Sequence, residues 1–203
     1  MGITIHYRGK MENIAHFPSL KDELIDIAKI MDWQWHELDE DLFKPAGARL
    51  VVKDGQAEIS GHLPLKGLSI KLHADCESFD LYFDKDGNLS APLLFIMVNE
   101  GSIKEEEAFL SVKTQFAPAE VHIAVVNLLR FLKKRYIPNL EVHDEGGYWE
   151  TSDKEKLIEK MKFLDEKMDL VAKALSEIQI ENARDLSLEE LAKIIEEKLK
   201  KKL

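Results

Sequence analysis

One cysteine, Cys76, occurs in the 203 residues, which excludes an intramolecular disulfide and fits a reducing compartment. Long apolar runs are equally scarce. The longest, PLLFIMV from Pro92 to Val98, falls far short of the roughly 20 residues that span a bilayer, and its length reads as a buried strand. The opening MGITIHYRGK has no apolar stretch behind a basic region, so no secretory signal is expected. Positive charge is in deficit too, with 28 Lys and Arg against 38 Asp and Glu and a net charge of -10. Residues 151–203 hold 12 basic and 13 acidic side chains, so residues 1–150 carry 16 and 25 and nearly all of the imbalance. An acidic body repels phosphate backbones, from which nucleic-acid binding draws most of its affinity. The expectation is a cytoplasmic protein with neither a membrane nor a nucleic acid as partner.

The motifs of several enzyme classes are missing as well. There is no Walker loop, GxGxxG, GxSxG or HExxH. Asp84, Asp86 and Asn88 hint at a calcium loop, but Leu89 stands where glycine is required, and a hairpin turn is the simpler reading. Nucleotide hydrolases, Rossmann enzymes and zincins are not indicated.

What is present is a well-patterned globular chain, 45% hydrophobic and 33% charged, above the composition of disorder. Ile3, Ile5 and Tyr7 alternate with polar residues as in a half-buried strand. A helix capped by Ser19 follows, with Leu20, Leu24, Ile27, Ala28 and Met31 on its apolar face. Trp33 to Leu38 alternates again, completing a first strand-helix-strand unit. From Arg49 to Val98 successive strands are expected, with Asp54-Gly55 and Asp86-Gly87 as hairpin turns. Lys104 to Glu107 reads as an exposed loop.

A second unit runs from Lys113 to Thr151: a strand over Phe109–Phe116, a helix over Ala119–Tyr136 opened by Pro118, and a strand over Asn139–His143. Its helix has a narrow polar stripe of Asn127, Arg130 and Lys134, so most of its circumference is buried. Parallel neighbouring strands would imply a right-handed crossover; the alternative places other strands between them in an antiparallel order. The fold class is therefore α+β, a mixed, mainly antiparallel sheet carrying the helices of two strand-helix-strand units over residues 1–151.

Residues 152–203 read as a helical hairpin or coiled-coil-like extension. Ser152 to Glu155 and Ser187 to Glu190 are capping-box patterns. Leu157, Met161, Leu164, Met168, Val171, Leu175 and Ile178 alternate spacings of four and three, a heptad seam that implies a helix partner. The final helix carries Leu188, Leu191, Ile195 and Leu199. Homo-oligomerisation is expected, and a protein partner is an option.

Candidate chemistry gathers at the ends of the second unit. If its strands are parallel, Gln115, His122, His143, Asp144 and Glu145 meet in one crevice at their carboxyl ends. His122 lies about 140° from the Asn127 stripe at roughly 100° per residue, so it points inward, in the first helical turn. The helix dipole there disfavours imidazolium and leaves a neutral ring able to accept a proton or bind a metal; a satisfied core histidine is the plainer alternative. His122, Asp144 and Glu145 are the candidate catalytic groups, and Gln115, His143, Tyr148 and Trp149 the candidate ligand-binding ones. His73 and Cys76 stand three apart, as two metal ligands on one loop do, and zinc would need His122 and Glu145 to complete the set. No cofactor is expected otherwise. Cys76 as a nucleophile with a histidine base is a further option.

The segments HADCESFDLYFD, VKTQFAPAEVHIAVVNLLR and EVHDEGGYWET, with the opening ITIHYRG, resemble those of a family of uncharacterised bacterial proteins of similar length. The resemblance covers about the first 155 residues and leaves the heptad tail outside. It implies that His73, Cys76, Glu77, Gln115, His122, Asp144, Glu145 and Tyr148 lie in characteristic segments of that family, and it brings no activity with it.

Three functions remain open: a ligand- or protein-binding domain that self-associates through its C-terminal helices; a metal-dependent or Cys/His enzyme using His73, Cys76, His122 and Glu145; and an inhibitor-like module that uses its acidic body to bind a basic partner.

Overall fold

The fold is α+β, with antiparallel sheets. The structure is a computed structural model that describes residues 2–176 together with Ser187, Glu190, Lys193, Ile194, Glu196 and Glu197. Two compact units divide the chain, Met1–Leu157 and Ile158–Leu203.

In the first unit, strand β1 (Thr4–Arg8) leads through a 3-10 turn into helix α1 (Phe17–Ile30). The helix starts earlier than its sequence suggests. Asn13 accepts a hydrogen bond from the Ala15 amide and begins a turn that feeds into α1, leaving Ser19 inside the helix rather than at its cap. Leu20, Leu24 and Ala28 of α1 are buried as expected, whereas Met31 is about half exposed. Strand β2 (Gln34–Asp39) follows, then the hairpin β3 (Arg49–Lys53) and β4 (Gln56–Ser60), β5 (Lys66–Lys71), β6 (Phe79–Phe83) and the short β7 (Leu89–Ser90). Both aspartate-glycine turns form. Asp54 and Gly55 take φ of 52° and 77°, the paired left-handed geometry of a two-residue hairpin.

The run from Pro92 to Val98 is not a strand. It forms helix α2 (Pro92–Asn99), with Pro92 in the first turn after an extended Ala91. Seven apolar residues are too few for periodicity to decide between strand and helix. Nor is the helix wholly buried: Ile96 is covered, while Leu93 is 50% exposed. Strand β8 (Leu110–Lys113), helix α3 (Ala119–Arg135), strand β9 (Glu141–Asp144) and the one-turn helix α4 (Tyr148–Thr151) complete the body.

The described strands form three groups with order β8-β1-β9, β2-β5-β6-β7 and β3-β4, all paired antiparallel. Because β1 runs antiparallel to both β8 and β9, those two strands point the same way without touching. The second strand-helix-strand unit is thus parallel but split, with β1 inserted between its strands. The strands of the first strand-helix-strand unit part company, β1 and β2 joining different sheets. One core holds Ile5 and Tyr7 of β1, the buried face of α1, Leu68, Ile70, Phe79 and Leu81 of the larger sheet, and Val125, Leu129 and Leu132 of α3. A smaller cluster of Leu63, Leu65, Tyr82 and Ile96 lies on the opposite side of the larger sheet.

Helix α5 (Lys154–Ser176) starts one residue later than the Ser152 capping box implies. Ser152 adopts a left-handed φ of 56° and ends α4, and the carboxylate of Asp153 accepts the amides of Glu155 and Lys156 instead. The second capping box does form: the Ser187 amide and hydroxyl both reach Glu190 Oε2, and the Glu190 amide returns to Ser187 Oγ. Ile178 of the seam, and Leu188, Leu191, Ile195 and Leu199 of the final helix, lie outside the described residues. No helix among the described residues is long and apolar enough to cross a membrane.

Candidate functional site

Three polar side chains meet at the amino end of α3, drawn from the end of β8, the first turn of the helix and the end of β9. His122 is fully buried. Its Nδ1 lies 2.8 Å from the Thr114 hydroxyl, and its Nε2 lies 3.1 and 3.2 Å from the two carboxylate oxygens of Asp144. A carboxylate only accepts, so Nε2 carries a proton and donates it; Nδ1 then faces the Thr114 hydroxyl. The convergence depends on direction rather than adjacency: β8 and β9 both present their carboxyl ends to α3, even with β1 between them.

Asp144 accepts from three donors. Besides the His122 contacts, Oδ1 accepts the Gly146 amide at 2.6 Å and Oδ2 accepts the Trp149 amide at 2.9 Å. Burial pushes its carboxyl up, but the hydrogen bond and charge of His122, with the Trp149 and Gly146 amides, outweigh burial and hold it below the ordinary carboxylate range. Gly146 is present for space. A Cβ there would lie 2.8 Å from His122 Cε1 and Nε2 and 2.9 Å from Leu157 Cδ1, so only hydrogen lets the loop close over the imidazole.

The other expected site residues go elsewhere. Glu145 turns away from His122: its Oε2 accepts the Thr4 amide at 2.9 Å, and its Oε1 lies 3.9 Å from His6 Nε2. His143 projects from the opposite face of β9 to Asp144, as strand alternation requires, and its ring stacks on His6 with centroids 6.1 Å apart. Gln115 is only 2% exposed, and among the described residues neither amide atom has a hydrogen-bond partner. Tyr148 and Trp149 pack against the main core. Arg130 of α3 spans them, donating to the carbonyls of both and to Ser152 Oγ, with its guanidinium 5.5 and 5.8 Å from their ring centres. These contacts fasten the loop to α3.

The metal set His73, Cys76, His122 and Glu145 does not assemble, and among the described residues no group of three or more His, Cys, Asp and Glu is disposed to hold a metal ion. Local turns take up the two loop ligands. His73 Nδ1 accepts the Asp75 amide, and Cys76 Sγ lies 3.5 Å from the His73 carbonyl. Cys76 is buried, and burial pushes its thiol up, the opposite of what a reactive thiolate requires.

Sequence reasoning missed Thr114, the third member of the buried group; its position just past a strand and eight residues before an inward histidine was the available signal. It also missed a polar row on the larger sheet, where register sets His36 opposite Ser69 and Ser69 opposite Asp80. Ser69 Oγ donates to Asp80 Oδ1 at 2.5 Å, and burial raises the Asp80 carboxyl. Comparison of the chain with protein-family models, with curated proteins and with solved structures finds no match.

Proposed function

We propose that this is a cytoplasmic binding protein that associates with copies of itself through its C-terminal helices, with the α+β body as the recognising part. One observation carries the reading: burial declines along the heptad seam of α5. Leu157 and Met161 are buried, Leu164 is half-buried, and Met168 is 48% exposed, with Phe163 and Leu170 also exposed on the same helix. Met168 at a seam position, with Phe163 and Leu170 beside the seam, is apolar surface left open to water that gains free energy when a second helix covers it. A catalytic role for His122 draws less support. Its two ring nitrogens already face protein groups and its side chain has no exposed surface, so a substrate proton has no path to it.

Light scattering of the full chain and of Met168→Glu provides the test. The parent chain should have the mass of a dimer or larger assembly and the variant that of a monomer, because a charge in the seam would be desolvated on pairing. A monomeric parent would remove the proposal.

A further inference from the structure

We propose that the groove between the start of α1 and the turn after β2 binds a small organic cation, an ammonium group on an apolar body, with Asp41 and Phe43 receiving the charge. The groove encloses about 620 Å³, within the range of small-molecule sites. Its apolar wall is built from Ile14, Phe17, Pro18 and Leu42, with Phe17 and Leu42 nearly buried beneath it. Phe43 stands at the lip with 85% of its surface exposed. One exposed ring is ordinary on any surface. This one lies beside a groove and shares a turn with a carboxylate.

The charges around the groove select the sign of the ligand. Lys21 is engaged by Glu37 at 2.8 Å, Lys66 by Asp39 at 2.7 Å, and Glu40 faces His62 at 3.1 Å. Each cation at the rim therefore already has a carboxylate, and an anionic ligand would have to displace one. Asp41 makes no ion pair among the described residues; its Oδ1 accepts the Phe43 amide at 3.0 Å, which ties the carboxylate to the backbone turn that carries Phe43, while its carbonyl lies 2.9 Å from His62 Nε2. A cation placed there gains the Asp41 charge and the electron-rich face of Phe43 together, while its apolar body covers the Phe17 and Leu42 wall. Those two groups define an amphipathic amine, and the acidic body adds a long-range attraction of the same sign.

Calorimetric titration of the full-length protein with three probes of one shape tests this: 4-phenylbutylammonium, 4-phenylbutanol and 4-phenylbutyrate. The ammonium should bind at least about tenfold more tightly than the carboxylate, and more tightly than the alcohol, with the preference shrinking as salt is raised. Phe43→Ala and Asp41→Asn should each weaken the ammonium about three- to tenfold. The asparagine keeps an oxygen for the Phe43 amide, so it removes the charge without opening the turn. Equal or tighter binding of the carboxylate or the alcohol would overturn the proposal. So would indifference to both substitutions, or no heat from the ammonium up to about 10 mM.

Discussion

His122 and Asp144 hold each other across the split crossover, Nε2 of one lying 3.1 and 3.2 Å from the oxygens of the other, both side chains without exposed surface. With Thr114 behind the ring and Gly146 in front of it, this pair joins β8, α3, β9 and the loop to α4 in a single polar knot. Its members satisfy one another, so its first consequence is for stability.

Removing the imidazole should therefore be costly. His122→Ala leaves the Asp144 carboxylate buried without its main partner and is expected to lower unfolding free energy by about 3–5 kcal/mol in denaturant titration. Gly146→Ala should cost about 1–3 kcal/mol by forcing a methyl group against the ring. Near-unchanged midpoints in both variants would mean that the knot does not hold the body together.

Asp144 should also make stability depend on acidity. Its folded-state pKa is depressed, so its contribution is complete above the unfolded value of about 3.9 and is lost as pH falls through the lower folded value. Asp144→Asn is expected to be less stable than the parent by about 1–3 kcal/mol at pH 7, because an amide nitrogen cannot accept from the loop amides. The gap should narrow as the solution is acidified below the carboxylate range. A gap that stays constant down to strong acid would place the ionised carboxylate outside the balance.

Asp80 carries the opposite sign. Burial raises its folded-state pKa, so its protonated form favours folding at low pH and that benefit disappears as pH rises through the folded value. Asp80→Asn keeps an oxygen for Ser69 and removes a desolvated charge. Thermal melts should show it as more stable than the parent at pH 7, with an advantage that opens through the weakly acidic range and closes at lower pH. A destabilised variant at pH 7 would show that the ionised carboxyl is favourable where it stands.

Much of the body could be read from periodicity alone. Alternation in Ile3 to Tyr7 and the narrow stripe of Asn127, Arg130 and Lys134 located β1 and α3, since each pattern reports which face of one element meets the core. The glycines of the two aspartate-glycine turns located their hairpins for an equally local reason. Pro92 to Val98 reads as a strand and yet forms a helix: every position in it is apolar, so no polar contrast marks a face that would separate the two periods. Of the site, only the inward direction of His122 follows from its angle on α3; the sequence leaves the relative direction of the flanking strands open and does not single out Asp144 among the polar groups at their ends.

The sequence by itself determined most of the elements, α2 excepted, the acidic balance, the apolar seam of the C-terminal helix and the inward aim of His122, all properties of residues near one another along the chain. Only the tertiary structure decided that β1 enters between β8 and β9, that Glu145 turns to Thr4 and His6 while Asp144 turns to His122, that His73 and Cys76 spend their polar atoms on their own turn, and that Asp41 and Phe43 come to line a groove. Those outcomes depend on strand order and on competition among partners distant in sequence, and a local pattern carries no record of either.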